Sequence, residues 1–137
     1  MNNYRETLYS NYFSTQIRAT VADEAWTHRV FSKEILPHLI GFEHKNIGEL
    51  GCGHGNLLRF LKKNGFQHLT GCDLSEEQVE LAQKEGFQVV LQDAQSFVES
   101  TENWDAMLAI DVLEHLTKDE VVALLKQIRS RINAGGK

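Results

Sequence analysis

The sequence predicts an α/β fold built on an open parallel sheet, and three observations carry that prediction. Short apolar runs at 46–50, 68–72, 88–91 and 106–110 alternate with longer stretches whose apolar residues recur at helical spacing. Stop signals close two of the helical stretches, Asn64-Gly65 and Gly86. The first apolar run ends in a turn with glycine at alternate positions, Gly51, Gly53 and Gly55. Strands that alternate with helices in this way join by right-handed crossovers, which place helices on both faces of the sheet.

Each element follows from its residues. Residues 1–45 read as a helical preface. Asp23 and Glu24 precede an apolar pattern through Trp26, Val30, Phe31 and Ile35, and Pro37 kinks or ends the helix before Leu39 and Ile40. Ahead of it lies an aromatic and hydroxyl cluster, Tyr4, Tyr9, Tyr12 and Phe13, which suits either core packing or a lid. Strand 46–50 leads into a helix that carries Leu57, Leu58, Phe60 and Leu61. Strand 68–72 leads into a helix from Ser75 to Glu85, with Ser75 as N-cap and Gln78 completing a capping box. Strand 88–91 precedes a short helix at 94–99. Strand 106–110 runs on into Asp111-Val-Leu-Glu-His-Leu116. A last helix starts at Thr117, capped with Glu120, and carries Val121, Val122, Leu124, Leu125, Ile128 and Ile132.

The glycine turn narrows the ligand. Glycine is required where the backbone turns sharply and a ligand approaches it closely. A dinucleotide fingerprint needs a small residue at its last position, but Asn56 and Leu58 occupy it in the two registers. A phosphate-binding loop needs Gly-Lys-Ser/Thr, which does not follow. What remains is Glu49-x-Gly51-x-Gly53-x-Gly55. Downstream, Asp73 ends the second strand, where a carboxylate can accept hydrogen bonds from both hydroxyls of a ribose.

These residues, with Gln92-Asp93-Ala94 after strand three and the segment Trp104–Ile110 into Asp111, resemble the class I S-adenosylmethionine-dependent methyltransferases over about residues 47–137. The resemblance implies a Rossmann-like sheet and S-adenosylmethionine as cofactor. It places the amino-acid end of the cofactor against Glu49, Gly51, Cys52 and Gly53, and the ribose on Asp73. Leu74, Asp93 and Ala94 would meet the adenine, and the backbone near Ile110 and Asp111 the methionine part. In such enzymes the segment before strand one folds over the cofactor, so 1–45 is expected to be a cap and 46–137 the cofactor domain. The family's sheet has seven strands and this sequence supplies four, ending in a glycine-rich turn (Ala134-Gly-Gly-Lys137) like that before strand five. The sheet is therefore expected to be incomplete at the C-terminus, with exposed apolar edge surface favouring a homodimer.

Totals bound the remainder. The chain has 137 residues, 42% hydrophobic and 24% charged, which suits one soluble globular domain. No apolar run of roughly 18 residues and no signal peptide is present, so no membrane role is expected. Cys52 and Cys72 do not make a disulfide framework and read as apolar fillers in a reducing cytoplasm. A net charge of −5 offers nucleic acid no general attraction, which favours a small-molecule acceptor such as a metabolite or sugar-type intermediate. The alternatives are an RNA 3′-end 2′-O-methyltransferase and a cofactor-binding module without catalysis; a nicotinamide dehydrogenase ranks behind both.

If the acceptor must lose a proton, a general base helps. Glu114 and His115 are the weak candidates, with Asp111 on the same turn. Related quinone-pathway and RNA-end enzymes hold a divalent metal with similar groups, yet the second histidine such a site needs is missing, so no metal is expected. His54 sits inside the glycine loop and either borders the cofactor or faces solvent.

Overall fold

The computed structural model describes residues 21–100 and 103–137, with side chains from Glu24 onward. The aromatic cluster around Tyr12 and the lid role expected of it lie outside the described residues. Helix α1 (Val21–Val30) opens the described chain. It runs into a wider π-type turn, Phe31–Ile35, and then a tight turn, Leu36–His38, in which Pro37 stands at the start. The Ser32 hydroxyl donates to the His28 carbonyl at 2.8 Å, a back-bond that competes with the ordinary helical ladder where the helix widens. Phe31, Ile35 and Leu39 face inward, whereas Trp26 and Ile40 are exposed, so the apolar stripe is narrower than the sequence suggests.

Four strands follow: β1 (Asn46–Leu50), β2 (His68–Asp73), β3 (Gln88–Leu91) and β4 (Ala106–Ala109). Their order is β3-β2-β1-β4 and every pairing is parallel. The intervening helices are α2 (Asn56–Lys63), α3 (Glu76–Lys84) and α4 (Ala94–Ser100); α5 (Lys118–Arg131) comes last. The elements predicted from residue 46 onward are present, with strand and helix ends shifted by a residue or two. The reversal of order at β1, whose neighbours β2 and β4 lie on opposite sides, is where open α/β sheets leave a crevice for ligands.

Side chains alternate across the sheet and divide the core. One cluster holds Ile47, Leu69, Val89 and Ala106 with Leu57, Leu58 and Leu61 of α2 and Val79 and Ala82 of α3. The other holds Leu50, Cys72, Phe97, Val98, Trp104 and Leu124, under α4 and α5. Central β1 is buried from Ile47 to Leu50, as expected for a strand covered on both faces.

Two links extend the outer side of β4. Trp104 bridges Ile132, and Lys137 donates to the Asp105 carbonyl and accepts from the Met107 N–H, each at 2.9 Å. The Asp105 carboxylate accepts from the Asn46 N–H and from the Asn133 side chain, both at 2.9 Å, and ties β1 to the final turn. Among the described residues, no helix is long and apolar enough to cross a membrane.

Candidate functional site

The carboxyl ends of β1 and β2 lie side by side in register, with Glu49 opposite Gly71 and Leu50 opposite Cys72. The chain leaves β1 through Gly51 at φ 63° and Gly53 at φ 54°, both left-handed. A β-carbon on Gly51 would stand 2.6 Å from Cγ2 of Val112, so the segment after β4 closes directly over this glycine. Backbone angle and space both exclude a side chain there. Gly71 is needed for the second reason alone, since a β-carbon would meet the Cys52 sulfur at 2.7 Å. Cys52 and Cys72 are buried free thiols, as the sequence suggests. Burial pushes both upward, Cys72 to about 12, so neither is a thiolate nucleophile at neutral pH.

Asp73 holds the loop in place. One carboxylate oxygen accepts from the Gly53 N–H at 2.8 Å, and the other accepts from the Ser75 N–H at 2.8 Å. Two further contacts stitch the strand ends together: Cys52 N–H to the Cys72 carbonyl at 2.9 Å, and Gln92 N–H to the Asp73 carbonyl at 3.1 Å. An ionised carboxylate offers about four lone-pair positions, so Asp73 retains acceptor capacity toward the crevice.

Ser75 caps α3 by accepting from Gln78 N–H at 3.4 Å, but the reciprocal half of the expected capping box is absent. Ser75 N–H goes to Asp73 instead, and the Gln78 carbonyl oxygen lies 3.2 Å from Nδ1 of His54. Gln78 is buried, and its side chain braces the glycine loop from α3. Sequence reasoning assigned it only to the cap; its place in the first turn of a helix beside the loop was the available signal. Val112, packed over Gly51, was also missed, and nothing in its sequence context marked it.

Glu49 differs from Asp73. It is 4% exposed, and its Oε2 has no hydrogen-bond partner among the described residues. Burial, and then the nearby Asp73 charge, raise its carboxyl well above the ordinary value of 4.5.

The remaining expected residues fall around this centre. Leu74 and Ile110 are exposed at the ends of β2 and β4, apolar surface flanking the crevice. Asp93 caps α4: its two oxygens accept from the Ser96 N–H at 2.9 Å and the Ser96 hydroxyl at 2.7 Å. Partial burial opposes its ionisation, but these hydrogen bonds outweigh it and leave the carboxyl below its ordinary value. Ala94 follows, half-buried at the first position of α4. Asp111 takes φ 54°, unusual for a non-glycine residue, and turns the chain out of β4. Glu114 and His115 are exposed on the short turn that follows, Leu113–His115. Among the described residues, no three His, Cys, Asp or Glu side chains converge as metal ligands.

An adenosine-type ligand with a charged amino-acid end fits these residues. The left-handed loop leaves bare backbone at its turn, Asp73 has spare acceptor capacity beside it, and one buried oxygen of Glu49 has no hydrogen-bond partner among the described residues.

Comparison with known proteins agrees. A family described as a methyltransferase domain matches residues 47–136. Among curated proteins, "Probable tRNA methyltransferase 9B" of Mus musculus is 30% identical over 91 residues, covering 66% of this chain and 20% of that protein. The tRNA (carboxymethyluridine(34)-5-O)-methyltransferase ALKBH8 of Macaca fascicularis is 29% identical over 113 residues, covering 82% of this chain and 16% of that protein. The chain thus spans a fifth or less of the length of these two relatives. Among solved structures, magnesium protoporphyrin IX methyltransferase from Synechocystis PCC 6803 with bound SAH superposes with TM-score 0.71 at 19% identity, covering 94% of this chain and 66% of that one. The DhpI-SAM-HEP complex gives TM-score 0.68 at 24% identity, covering 97% and 59%. Matched from β1 through the final glycine turn, and folded as these enzymes are, the chain belongs to the methyltransferase domain family of class I, S-adenosylmethionine-dependent methyltransferases.

Proposed function

We propose that the protein binds S-adenosylmethionine at the carboxyl ends of β1 and β2 and transfers its methyl group to a small-molecule acceptor. The observation that carries the cofactor half is the 2.8 Å hydrogen bond from Gly53 N–H to Asp73, which fixes the left-handed loop against the strand-two carboxylate. When bound, the cofactor supplies a methyl group already activated by its sulfonium, so the protein's work is positioning.

In this reading Asp73 accepts from the ribose hydroxyls while still holding Gly53 and Ser75. Gly51, Cys52 and Gly53 present backbone to the amino-acid end, above Glu49. Leu74 and Ile110 give apolar contact, and Asp93 and Ala94 recognise the adenine edge from the start of α4. Asp93 does so with the acceptor capacity left after capping α4. Val112, seated on Gly51, shapes the floor between cofactor and acceptor. Glu114 and His115 are the residues able to take a proton from an acceptor hydroxyl or amine; an acceptor already ionised needs neither.

The acceptor half rests on charge. Asp73, Asp93, Asp111 and Glu114 gather at the strand ends of a chain with net charge −5, which disfavours a polyanion at this rim. A tRNA acceptor is the second reading, favoured by the names of the curated relatives.

Methyl-labelled S-adenosylmethionine incubated with the full-length protein, total tRNA and a small-metabolite extract tests the choice. Label recovered in the small-molecule fraction supports the first reading. Label in tRNA overturns it in favour of the second, and the absence of transfer to either fraction favours a binding module.

A further inference from the structure

We infer that Glu49 carries a proton in the free protein and gives it up to solvent as the ammonium-bearing end of the ligand arrives, so that cofactor binding and proton release are one event. The inference rests on the reading that this site takes S-adenosylmethionine, and extends it to the charge state of the site.

The geometry points there first. Glu49 is the penultimate residue of β1, on the sheet face covered by α2, and is register-paired with Gly71 on one side and Leu108 on the other. Gly71 offers no side chain and Leu108 is apolar. Leu57, Leu58 and Leu61 of α2 pack on the same face. The side chain is 4% exposed, and Oε2 has no hydrogen-bond partner among the described residues. A lone carboxylate buried this way is costly, whereas the neutral acid is far less so.

The charged and titratable neighbours agree. Asp73 at the end of β2 adds a like charge. The thiols of Cys72 on β2 and Cys52 in the loop are held protonated by burial and contribute no positive charge. His54 of the loop lies against Gln78. Arg59, the charged residue of α2 nearest the loop, is committed to Glu85 at 2.7 and 2.8 Å. Among the described residues, no cation acts on Glu49, and its carboxyl is accordingly raised well above the ordinary value of 4.5 by burial and then by Asp73.

A ligand ammonium placed beside the glycine loop reverses the balance. It supplies the missing opposite charge beside a buried carboxylate, where low dielectric strengthens such attraction. The proton leaves Glu49 for the buffer, and no bond to the ligand is made or broken. Affinity should therefore climb by up to tenfold per pH unit below the Glu49 midpoint and level off above it.

Calorimetric titration of the full chain in two buffers of different ionisation enthalpy counts the protons released. S-adenosylmethionine and S-adenosylhomocysteine, which share the ammonium, are expected to release up to about one proton per site at neutral pH. 5′-Methylthioadenosine, which lacks the amino-acid end, should release none. Glu49→Gln should remove the release seen with both S-adenosyl compounds. Binding of S-adenosylmethionine with no proton released, or with release unchanged in Glu49→Gln, overturns this inference and leaves the cofactor reading standing. Failure of both S-adenosyl compounds to bind overturns the cofactor reading itself. A carbon-13 titration of the Glu49 carboxyl in the free wild-type protein is a check that needs neither variant nor ligand. A midpoint well above 4.5 supports the assignment, and one at the ordinary value overturns it.

Discussion

Two carboxylates stand at neighbouring strand ends in this molecule, and the fold treats them in opposite ways. Asp73 is half-exposed and grips two backbone N–H groups at 2.8 Å each. Glu49 is sealed inside with an oxygen that meets no donor among the described residues. The difference comes from position. Asp73 is the last residue of β2, where the chain is already turning and free amides are close; Glu49 is still within β1, buried on both sides. Two neighbouring acids, one hydrogen-bonded and one with an oxygen unpartnered among the described residues, suit the division of work proposed above: Asp73 for the loop and ribose, Glu49 for a compensating charge.

The largest way to break this contrast is at the loop that Asp73 holds. Gly51→Ala forces a side chain into a left-handed angle and against Val112 at 2.6 Å. It should cost about 2–4 kcal/mol of stability, read by denaturant unfolding, and lower S-adenosylmethionine affinity beyond measurement.

Asp73→Asn keeps the shape but removes the charge and one of the paired acceptor sites. We expect affinity for S-adenosylmethionine to fall on the order of a hundredfold with a smaller loss of stability, seen by titration and thermal unfolding together. An Asp73→Asn variant that binds normally would dissolve the division between the two acids.

Glu49→Gln sharpens the contrast through pH. Burial raises the folded-state value of Glu49 above the unfolded one, so the folded protein keeps its proton where the unfolded chain has lost it. That stabilisation is complete below about 4.5 and drains away as pH rises toward the folded-state value. Wild-type unfolding free energy should decline across this window, and the Glu49→Gln curve should be flatter there. Parallel curves would show that Glu49 is ionised throughout.

The smallest expected effect is a control away from both acids. Thr117 caps α5 in a full capping box, with its hydroxyl accepting from Glu120 N–H and Glu120 accepting from Thr117 N–H at 2.7 Å. Thr117→Ala should cost about 1 kcal/mol in unfolding and leave cofactor affinity unchanged.

Much of this was legible in the order of residues. Short apolar runs, Gly86 and Asn64-Gly65 gave the strands and stops, because those signals are local. The π-type turn at Phe31–Ile35 was not foreseen, since it sits where a serine back-bond and inward packing of Phe31 and Ile35 meet. The place of Asp73 at the end of β2 was legible because the strand pattern alone fixes it. The isolation of Glu49 was not, since burial on both faces of β1 emerges only once α2, β2 and β4 have assembled around it. Gln78 makes the same point, because the choice of its side chain for His54 over Ser75 depends on α3 meeting the glycine loop in space.

The most direct test of the central claim is calorimetric titration of the full chain with S-adenosylmethionine and with NAD, repeated for Asp73→Ala. The account predicts that S-adenosylmethionine binds, NAD does not, and Asp73→Ala weakens the former severely. NAD binding alone, or S-adenosylmethionine binding unaffected by loss of Asp73, would contradict it.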